Sequence, residues 1–161
     1  MLSKVITIAQ QKGGTGKTTL AVNLALAFIK YHNLKVAIID TPPKIESDAR
    51  PAIEAANLVL IPVAPSPVDF WATESIIEIA KKAKRKILIQ INRANHRSKL
   101  ISKTHEYIKS INVKSTDTLI GHRQIFVSSM GEGKTVVEKQ RKSKAVEEIK
   151  SISNQILLEL N

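Results

Sequence analysis

Nine consecutive residues, QKGGTGKTT (11–19), have the residue types that bind a phosphate group. Three glycines let the backbone turn tightly and direct successive N–H groups inward, which makes a concave anion site. A helix that begins near Lys17 would add unpaired amides and the positive end of its dipole. Lys17 would then contact the β- and γ-phosphates, the Thr18 hydroxyl would ligate Mg²⁺, and Thr19 would contact the α-phosphate. The alternative is a glycine-rich turn without a ligand, and the placement between a predicted strand and helix favours the phosphate site.

Asp40 is a second candidate, because it ends the apolar stretch VAIID and directly precedes TPP (41–43). A carboxylate at a strand end near a phosphate loop is the kind of oxygen ligand that Mg²⁺ prefers. Asp40 is therefore predicted to serve the metal, and the alternative is a plain strand-end acid.

Apolar runs and helical spacing predict the elements that would position these residues. Predicted strands at 4–9, 35–40, 58–63, 86–92 and 116–120 alternate with predicted helices at 17–31, 47–56, 69–83, 98–110 and 143–160. Strands that alternate with helices are typical of a parallel sheet covered on both faces. We predict one α/β domain over residues 1–161, with a doubly wound, mostly parallel sheet.

The net charge of +11 lies entirely in the second half of the chain. Residues 1–80 carry seven basic and seven acidic residues, whereas residues 81–161 carry eighteen basic and seven acidic ones. This asymmetry indicates a polyanionic partner, with nucleic acid favoured over acidic lipid, and a solubilising surface is the alternative. Few aromatic residues are present, so contact would be electrostatic and non-specific. Candidate phosphate contacts are KKAKRK (81–86), which is equally typical of a solvated helix end, and Arg93, Arg97, Lys99, Lys103, Lys139, Arg141, Lys142 and Lys144.

Other features favour a soluble cytoplasmic protein. The chain has no cysteine, its four histidines lack metal-ligand spacing, and no apolar run reaches the roughly 20 residues that span a bilayer. Trp71, beside Phe70, is expected to anchor the core. The last predicted helix has an apolar stripe interrupted by acidic residues, which favours packing against the domain over membrane binding; its apolar members are Val146, Ile149, Ile152, Ile156 and Leu160.

The phosphate loop departs from the general pattern, because Gln11 stands where the first glycine is usual and Lys12 adds a second lysine. In this form it resembles the deviant Walker A motif of the ParA/MinD superfamily of ATPases, in the version typical of ParA-type partition proteins. Later segments are similar to that family too, namely ANLVLIPVAPSPVDFWA (56–72), ILIQINRA (87–94) and GEGKTVVE (131–138). The resemblance covers most of the chain and implies a P-loop NTPase-like fold.

The resemblance also implies the roles of single residues. ATP and Mg²⁺ would be the cofactors, and the nucleotide would be held by Gly13, Gly14, Thr15, Gly16, Lys17, Thr18 and Thr19. Lys12 matches the signature lysine, which in this family reaches across an ATP-sandwiched homodimer to the partner's nucleotide. Asn92 matches the asparagine that reads the adenine edge, and the alternative is a strand-end turn residue. The implied function is plasmid or chromosome partition by a nucleoid-associated, ATP-dependent dimer that binds DNA non-specifically, responds to a ParB-like partner and does not bind membranes.

One acid of the family pattern is missing. Relatives usually have two strands that end in aspartate before LVLIPV; the first strand supplies an acid that orients the attacking water, and the second supplies one that holds Mg²⁺ through water. Here LKVAIID begins like the first strand and IIDTPPK ends like the second, which indicates an internal deletion that shortens the sheet at one edge. The water-orienting position falls on Pro42, so ATP binding should survive better than hydrolysis, while Lys12, Lys17 and Asp40 remain from the catalytic set.

Three acids lie near enough in sequence to be considered as substitutes, namely Glu46, Asp48 and Asp69, and none matches a catalytic residue of the family. Two other readings remain open. One is a non-catalytic module that binds DNA in response to nucleotide, and the other is a truncated, non-functional remnant.

Overall fold

The computed structural model describes residues 4–43 and 46–161, except for the side chains of residues 46–48. Strands and helices alternate through most of this chain. They are β1 (Val5–Ile8), α1 (Lys17–His32), β2 (Ala37–Asp40), α2 (Glu46–Ala55), β3 (Leu58–Val63), α3 (Pro67–Lys82), β4 (Lys86–Ile91), α4 (Leu100–Ser110), β5 (Lys114–Ser115), α5 (Gln124–Gly131), α6 (Val136–Lys139) and α7 (Lys144–Leu160).

The five strands form one sheet in the order β2-β1-β3-β4-β5, and every described pairing is parallel. β1 and β3 therefore lie inside the sheet, whereas β2 and β5 lie at its edges. The carboxyl ends of parallel strands meet at one edge of the sheet, which is where open α/β sheets place their ligands. The predicted α/β fold with a parallel sheet and helices on both faces is confirmed.

Helices cover both faces of the sheet and enclose two apolar cores. One core joins α1 and α7 to β1, β3 and β4 through residues such as Leu24, Phe28 and Ile152, which are fully buried. The other core packs α2, α3 and α4 against the opposite face, with Ile53, Ile76 and Ile108 among its members. β3 reads LVLIPV without alternation because both of its faces are buried.

The predicted packing of α7 is confirmed. Its apolar stripe faces α1 and the sheet, and all five members are 5% exposed or less: Val146, Ile149, Ile152, Ile156 and Leu160. None of the helices among the described residues combines the length and the apolar character needed to cross a bilayer.

The prediction of a strand at 116–120 is wrong, since β5 ends at Ser115. The buried Gln90 side chain causes the difference. Its Oε1 accepts from the Thr116 hydroxyl at 2.7 Å, and its Nε2 donates to the Thr118 carbonyl at 2.9 Å. These side-chain bonds hold a bend between Thr116 and Thr118, although the Thr116 and Ile120 N–H groups still donate to the Ile89 and Ile91 carbonyls of β4.

The prediction that Trp71 anchors the core is also wrong, because its side chain is 71% exposed. Phe70 turns inward instead and stacks on Tyr107, with ring centroids 4.6 Å apart. The Tyr107 hydroxyl donates to the Phe70 carbonyl at 3.0 Å, which fixes this contact between α3 and α4.

Candidate functional site

The phosphate loop lies between β1 and α1, as predicted from its sequence. Gly14 and Gly16 have φ values of 75° and 90°, in the left-handed region that favours glycine. Gly16 caps α1, and a Cβ there would lie 2.6 Å from Nδ2 of Asn92, so a larger residue would clash. The loop therefore presents the N-terminal amides of a sixteen-residue helix at the carboxyl end of the sheet.

Lys17 lies in this loop with its side chain buried, at 7% exposure. Its Nζ donates to the Lys12 carbonyl at 3.2 Å. Burial lowers the pKa of Lys17 below its ordinary value of 10.5, and the negative charge of Asp40 opposes this change. A buried ammonium that donates to a neutral carbonyl is well suited to a multiply charged anion, which would raise its pKa again.

Thr18 and Asp40 meet beside Lys17. β2 pairs with β1 so that Asp40 lies opposite Ile8, and the Thr18 hydroxyl donates to Oδ2 of Asp40 at 2.5 Å. A hydroxyl and a carboxylate at this spacing offer the hard oxygen atoms that Mg²⁺ requires. Both side chains are exposed to the cavity described below. These two residues fit a magnesium ion bound next to the phosphates.

Lys12 and Asp69 form an ion pair within the chain, with Nζ and Oδ2 2.5 Å apart. Asp69 is fully buried and also accepts from the Ser66 hydroxyl and from the Ala64 N–H. Since both of its oxygens are occupied, Asp69 is not a free base. Lys12 therefore has an intramolecular partner here, and its predicted contact with a partner's nucleotide stays a prediction.

Asn92 lies against the phosphate loop and is buried, with 6% of its surface exposed. Its Nδ2 donates to the Thr15 carbonyl at 2.7 Å, and its Oδ1 accepts from the Arg93 N–H at 2.9 Å. One N–H and one lone pair of the amide remain for a base edge. Asn92 thus has a structural contact with the loop that the sequence did not indicate.

A cavity of about 770 Å³ connects these residues. What we call the charged end holds Gly14, Gly16, Lys17, Thr18, Thr19 and Asp40. What we call the apolar end is lined mainly by Leu20, Ile120, Phe126, Val127, Met130 and Ile149, and it also includes His122 and Arg123. A charged end next to an apolar end suits a ligand with phosphates on one side and a flat ring on the other. Gly13 lies outside this cavity and lines a smaller one of about 310 Å³, together with Lys12, Thr15 and Asp69.

Asp40 is the one acid among the described residues that line the larger cavity. Pro42 and Pro43 line it as well, so the position expected to hold a water-orienting acid is occupied by an apolar ring. The side chains of Glu46 and Asp48 lie outside the described residues. Nothing in the described part of the cavity replaces the missing carboxylate.

Three further residues shape the site, of which Glu148 and Arg123 were not predicted and Arg93 was predicted only as a DNA contact. Glu148 of α7 is buried and accepts from the Gly121 N–H at 3.2 Å and from Arg123 Nη2 at 2.6 Å, which holds the loop at the apolar end. The hydrogen bond to Glu148 raises the pKa of Arg123. Arg93 bonds the phosphate loop itself, through the Gly14 carbonyl. No local motif marks these contacts, because they join residues distant in sequence.

Comparison with known proteins identifies the family of this chain. The model of the CobQ/CobB/MinD/ParA nucleotide-binding domain matches residues 6–136. The maintenance of carboxysome distribution protein A of Halothiobacillus neapolitanus is 23% identical over 207 aligned residues, which cover 94% of this chain and 95% of the relative. That alignment is longer than the 161 residues of this chain, so some residues of the relative have no counterpart in this chain. An internal deletion would have this effect.

Solved structures show the same fold. The cell division ATPase MinD of Pyrococcus furiosus superposes with a TM-score of 0.85 at 16% identity, over 98% of this chain and 99% of that one. A putative plasmid partition protein of Borrelia burgdorferi bound to AMPPNP gives a TM-score of 0.78 at 15% identity, over 97% of this chain and 99% of that one. With the family model covering most of the sequence, the chain belongs to the CobQ/CobB/MinD/ParA family of nucleotide-binding domains.

Proposed function

We propose that this chain is an ATP-binding switch protein of the kind that partitions plasmids or chromosomes. The observation that carries the proposal is the convergence of Lys17, Thr18 and Asp40 on one cavity at the carboxyl end of the sheet. The relatives support this class of function, since one is named for carboxysome distribution and another for plasmid partition.

The charged end of the cavity would bind the phosphates of ATP. The loop amides and Lys17 would neutralise them, and Lys17 would exchange its bond to the Lys12 carbonyl for one to a phosphate oxygen. Thr18 and Asp40 would hold Mg²⁺, which when bound neutralises phosphate charge. The apolar end would cover the base, with the remaining donor and acceptor of Asn92 available for its edge.

Hydrolysis should be slow. Phosphoryl transfer depends on a group that orients the attacking water, and Pro42 cannot do so. Asp69 is buried and engaged with Lys12 and Ser66, so it does not take over this role. The second candidate function, a non-catalytic module that binds DNA in response to nucleotide, is favoured by this same observation.

ATP would close a homodimer through Lys12. For this to happen, Lys12 must break its ion pair with Asp69 and bind the nucleotide of the second copy. Its side chain is 39% exposed and is therefore accessible to that copy. A phosphate is a stronger partner for an ammonium than one carboxylate that it shares with Ser66. The resemblance implies a dimer that encloses ATP, so dimer formation should require ATP rather than ADP.

Six of the basic residues proposed to contact DNA lie at the same end of the molecule as the candidate nucleotide site, whereas KKAKRK (81–86) precedes β4 and lies at the opposite end. α4 starts after the carboxyl end of β4, which places Arg97, Lys99 and Lys103 there. α7 runs antiparallel to the strands, because Glu148 near its start contacts Gly121 and Glu159 near its end contacts Lys114. Its start brings Arg141, Lys142 and Lys144 to the same end. Nucleotide-driven dimerisation would thus join two basic surfaces into one, as nucleoid association requires.

Some predicted DNA contacts have other partners. Lys139 pairs with Glu132, and Lys86 donates to the Glu159 carbonyl at 2.6 Å. We assign these two a structural role and keep Arg97, Lys99, Lys103, Arg141, Lys142 and Lys144 as DNA candidates. A ParB-like partner would stimulate whatever hydrolysis the site retains.

Sedimentation velocity and DNA affinity, each measured with ATP–Mg²⁺ and with ADP–Mg²⁺, test the proposal. We expect the protein to form a dimer and to bind random-sequence DNA more tightly with ATP–Mg²⁺ but not with ADP–Mg²⁺. Both effects should be lost in Lys17→Ala. Lys12→Ala should still bind nucleotide and fail to dimerise. Release of phosphate separates the ATPase from the non-catalytic module. A cooperative thermal melt that ATP leaves unchanged would contradict the proposal and favour a remnant, since bound ligand at 100 times its dissociation constant adds about 2.7 kcal/mol.

A further inference from the structure

The turn that follows β4 contains a residue in an unfavourable backbone conformation. Arg93 has a φ of 53°, which is uncommon for a residue with a side chain and costs of the order of 1 kcal/mol or more. Its N–H donates to Oδ1 of Asn92, and Asn92 is itself fixed by its bond to the Thr15 carbonyl. This conformation aims the Arg93 side chain back towards the phosphate loop.

The Arg93 guanidinium reaches that loop. Its Nη1 donates to the Gly14 carbonyl at 2.6 Å, next to the Thr15 carbonyl that Asn92 holds. Two consecutive residues after β4 thus bind two consecutive carbonyls of the loop. We call this pair of contacts the β4 brace.

The β4 brace controls the direction of the loop amides. In a planar trans peptide, the carbonyl of one residue and the N–H of the next point in opposite directions. Fixing the Gly14 and Thr15 carbonyls on the side of β4 therefore directs the N–H groups of Thr15 and Gly16 to the other side. Amides aimed in this way before the ligand arrives do not have to be ordered when it binds.

The positive charge of Arg93 is also accessible from the candidate nucleotide site. Its guanidinium makes no ion pair within the described residues, its side chain is exposed, and it lines both cavities. An effect of this charge on the phosphates would be distinct from an effect of the hydrogen bond to Gly14, and the two can be separated by experiment.

We propose that Arg93 is a positioning residue of the phosphate site. By holding the Gly14 carbonyl it orients the Thr15 amide towards the anion, and so raises the affinity for nucleotide. The inference rests on the proposed function in one respect, namely that the loop binds a nucleoside di- or triphosphate.

Calorimetric titration of the full chain with ATP–Mg²⁺ and ADP–Mg²⁺ tests this role in three variants. Arg93→Met keeps the long stem and removes the donor, Arg93→Lys keeps a donor and the charge, and Arg50→Met is a matched control at an exposed position of α2. Loss of one charge-assisted hydrogen bond should weaken binding by about tenfold in Arg93→Met. The loss should be equal for ATP and ADP and unchanged at high salt, and Arg93→Lys should recover most of it.

Amide spectra provide a second readout. In Arg93→Met without nucleotide, the ¹⁵N–¹H resonance of Thr15 should shift or broaden, while the melting temperature stays near that of the wild type. A loss confined to ATP, or one that disappears at high salt, would mean that Arg93 acts through its charge, and the positioning role would be wrong. Equal affinities in Arg93→Met and wild type would overturn it as well. If the wild type binds neither nucleotide, the proposed function fails instead.

Discussion

At the scale of single residues, Lys17 is a buried cation of the phosphate loop. It is buried in the loop, and a neutral carbonyl is the hydrogen-bond acceptor of its ammonium. Because its pKa is lowered in the folded protein, the unfolded chain binds more protons between that pKa and 10.5. The contribution of Lys17 to the free energy of unfolding therefore increases as the pH rises through this window.

Lys17→Met should leave the ligand-free protein as stable as the wild type or slightly more stable, because the cost of burying the charge of Lys17 is removed. The stability difference should shrink as the pH rises from neutral towards 10.5, because the wild-type lysine loses its proton below the ordinary lysine pKa. Urea denaturation over this pH range measures this. A variant that is less stable than wild type at neutral pH would contradict it.

The lowered pKa of Lys17 should also make nucleotide binding depend on pH. A phosphate raises the pKa of Lys17 again, so binding takes up a proton when the pH exceeds the lowered pKa of the free protein. Affinity for ATP should be constant at neutral pH and fall at a pH below the 10.5 of an ordinary lysine. Titrations in buffers of different ionisation enthalpy would detect the proton, and a pH-independent affinity up to that value would argue against this role of Lys17.

Pro42 leads to the sharpest prediction about catalysis. If slow hydrolysis results from the missing acid, Pro42→Asp should increase the rate of phosphate release by about tenfold or more, since a positioned general base contributes roughly 10²–10⁴. Pro43→Asp, one position further along the same cavity wall, is the matched control and should have little effect. Equal rates in the two variants would show that the deletion removed more than one carboxylate.

At the scale of elements, sequence periodicity predicted most of the sheet. β3 has the predicted bounds, and the predicted strands at 4–9, 35–40 and 86–92 contain β1, β2 and β4. Long apolar runs between glycine-rich or charged turns give this signal directly. The phosphate loop was equally predictable, because its residues are contiguous.

The short elements were missed for identifiable reasons. α5 begins at Gln124, its N-cap Arg123 makes no side-chain cap bond, and its Val127 is exposed, so neither a start signal nor a clear apolar stripe marks it. α6 has four residues, too few for periodicity, although the capping box between Thr135 and Glu138 was a usable signal. The contacts of Arg93, Asn92 and Glu148 depend on the fold, and no local pattern encodes them.

Asn23 joins two of these elements. It is fully buried in α1, its Oδ1 accepts from the Val136 N–H at 3.0 Å, and its Nδ2 donates to the Thr19 carbonyl at 2.8 Å. The first turn of α6 thus depends on one amide of α1.

Asn23→Ala should lower the free energy of unfolding by about 1–3 kcal/mol, because the buried Val136 N–H loses its acceptor. Asn154→Ala, at an exposed position of α7, is the control and should change stability by less than about 0.5 kcal/mol. Urea denaturation compares the two. Equal stabilities would show that water replaces the amide.

At the scale of the whole molecule, the shortened sheet ends at β2. Among the described residues no strand pairs with its outer side, and its side chains are half-buried or exposed. An edge strand with apolar side chains is a site at which chains associate. The stability of the sheet and its tendency to aggregate therefore depend on the same four residues.

A pair of substitutions separates these two properties. Ile38 packs against the core that contains α1, whereas Ile39 is half-buried without belonging to either core. Ile39→Lys should reduce aggregation and change stability by less than about 1 kcal/mol, while Ile38→Lys should destabilise the protein by about 1–3 kcal/mol. Light scattering at rising protein concentration, together with thermal melts, checks both. If Ile39→Lys aggregates as readily as wild type, another surface is responsible.

The packing of α1 against α7 has a consequence for how the protein is made. The apolar side of the first helix, including Leu24 and Phe28, is covered by a helix that starts at Lys144. A ribosome therefore releases α1 and most of the strands before the segment that completes their core has been translated. During that interval the nascent chain exposes an uncovered apolar surface next to an edge strand, so this protein should depend on chaperones while it is being synthesised and should be intolerant of premature termination.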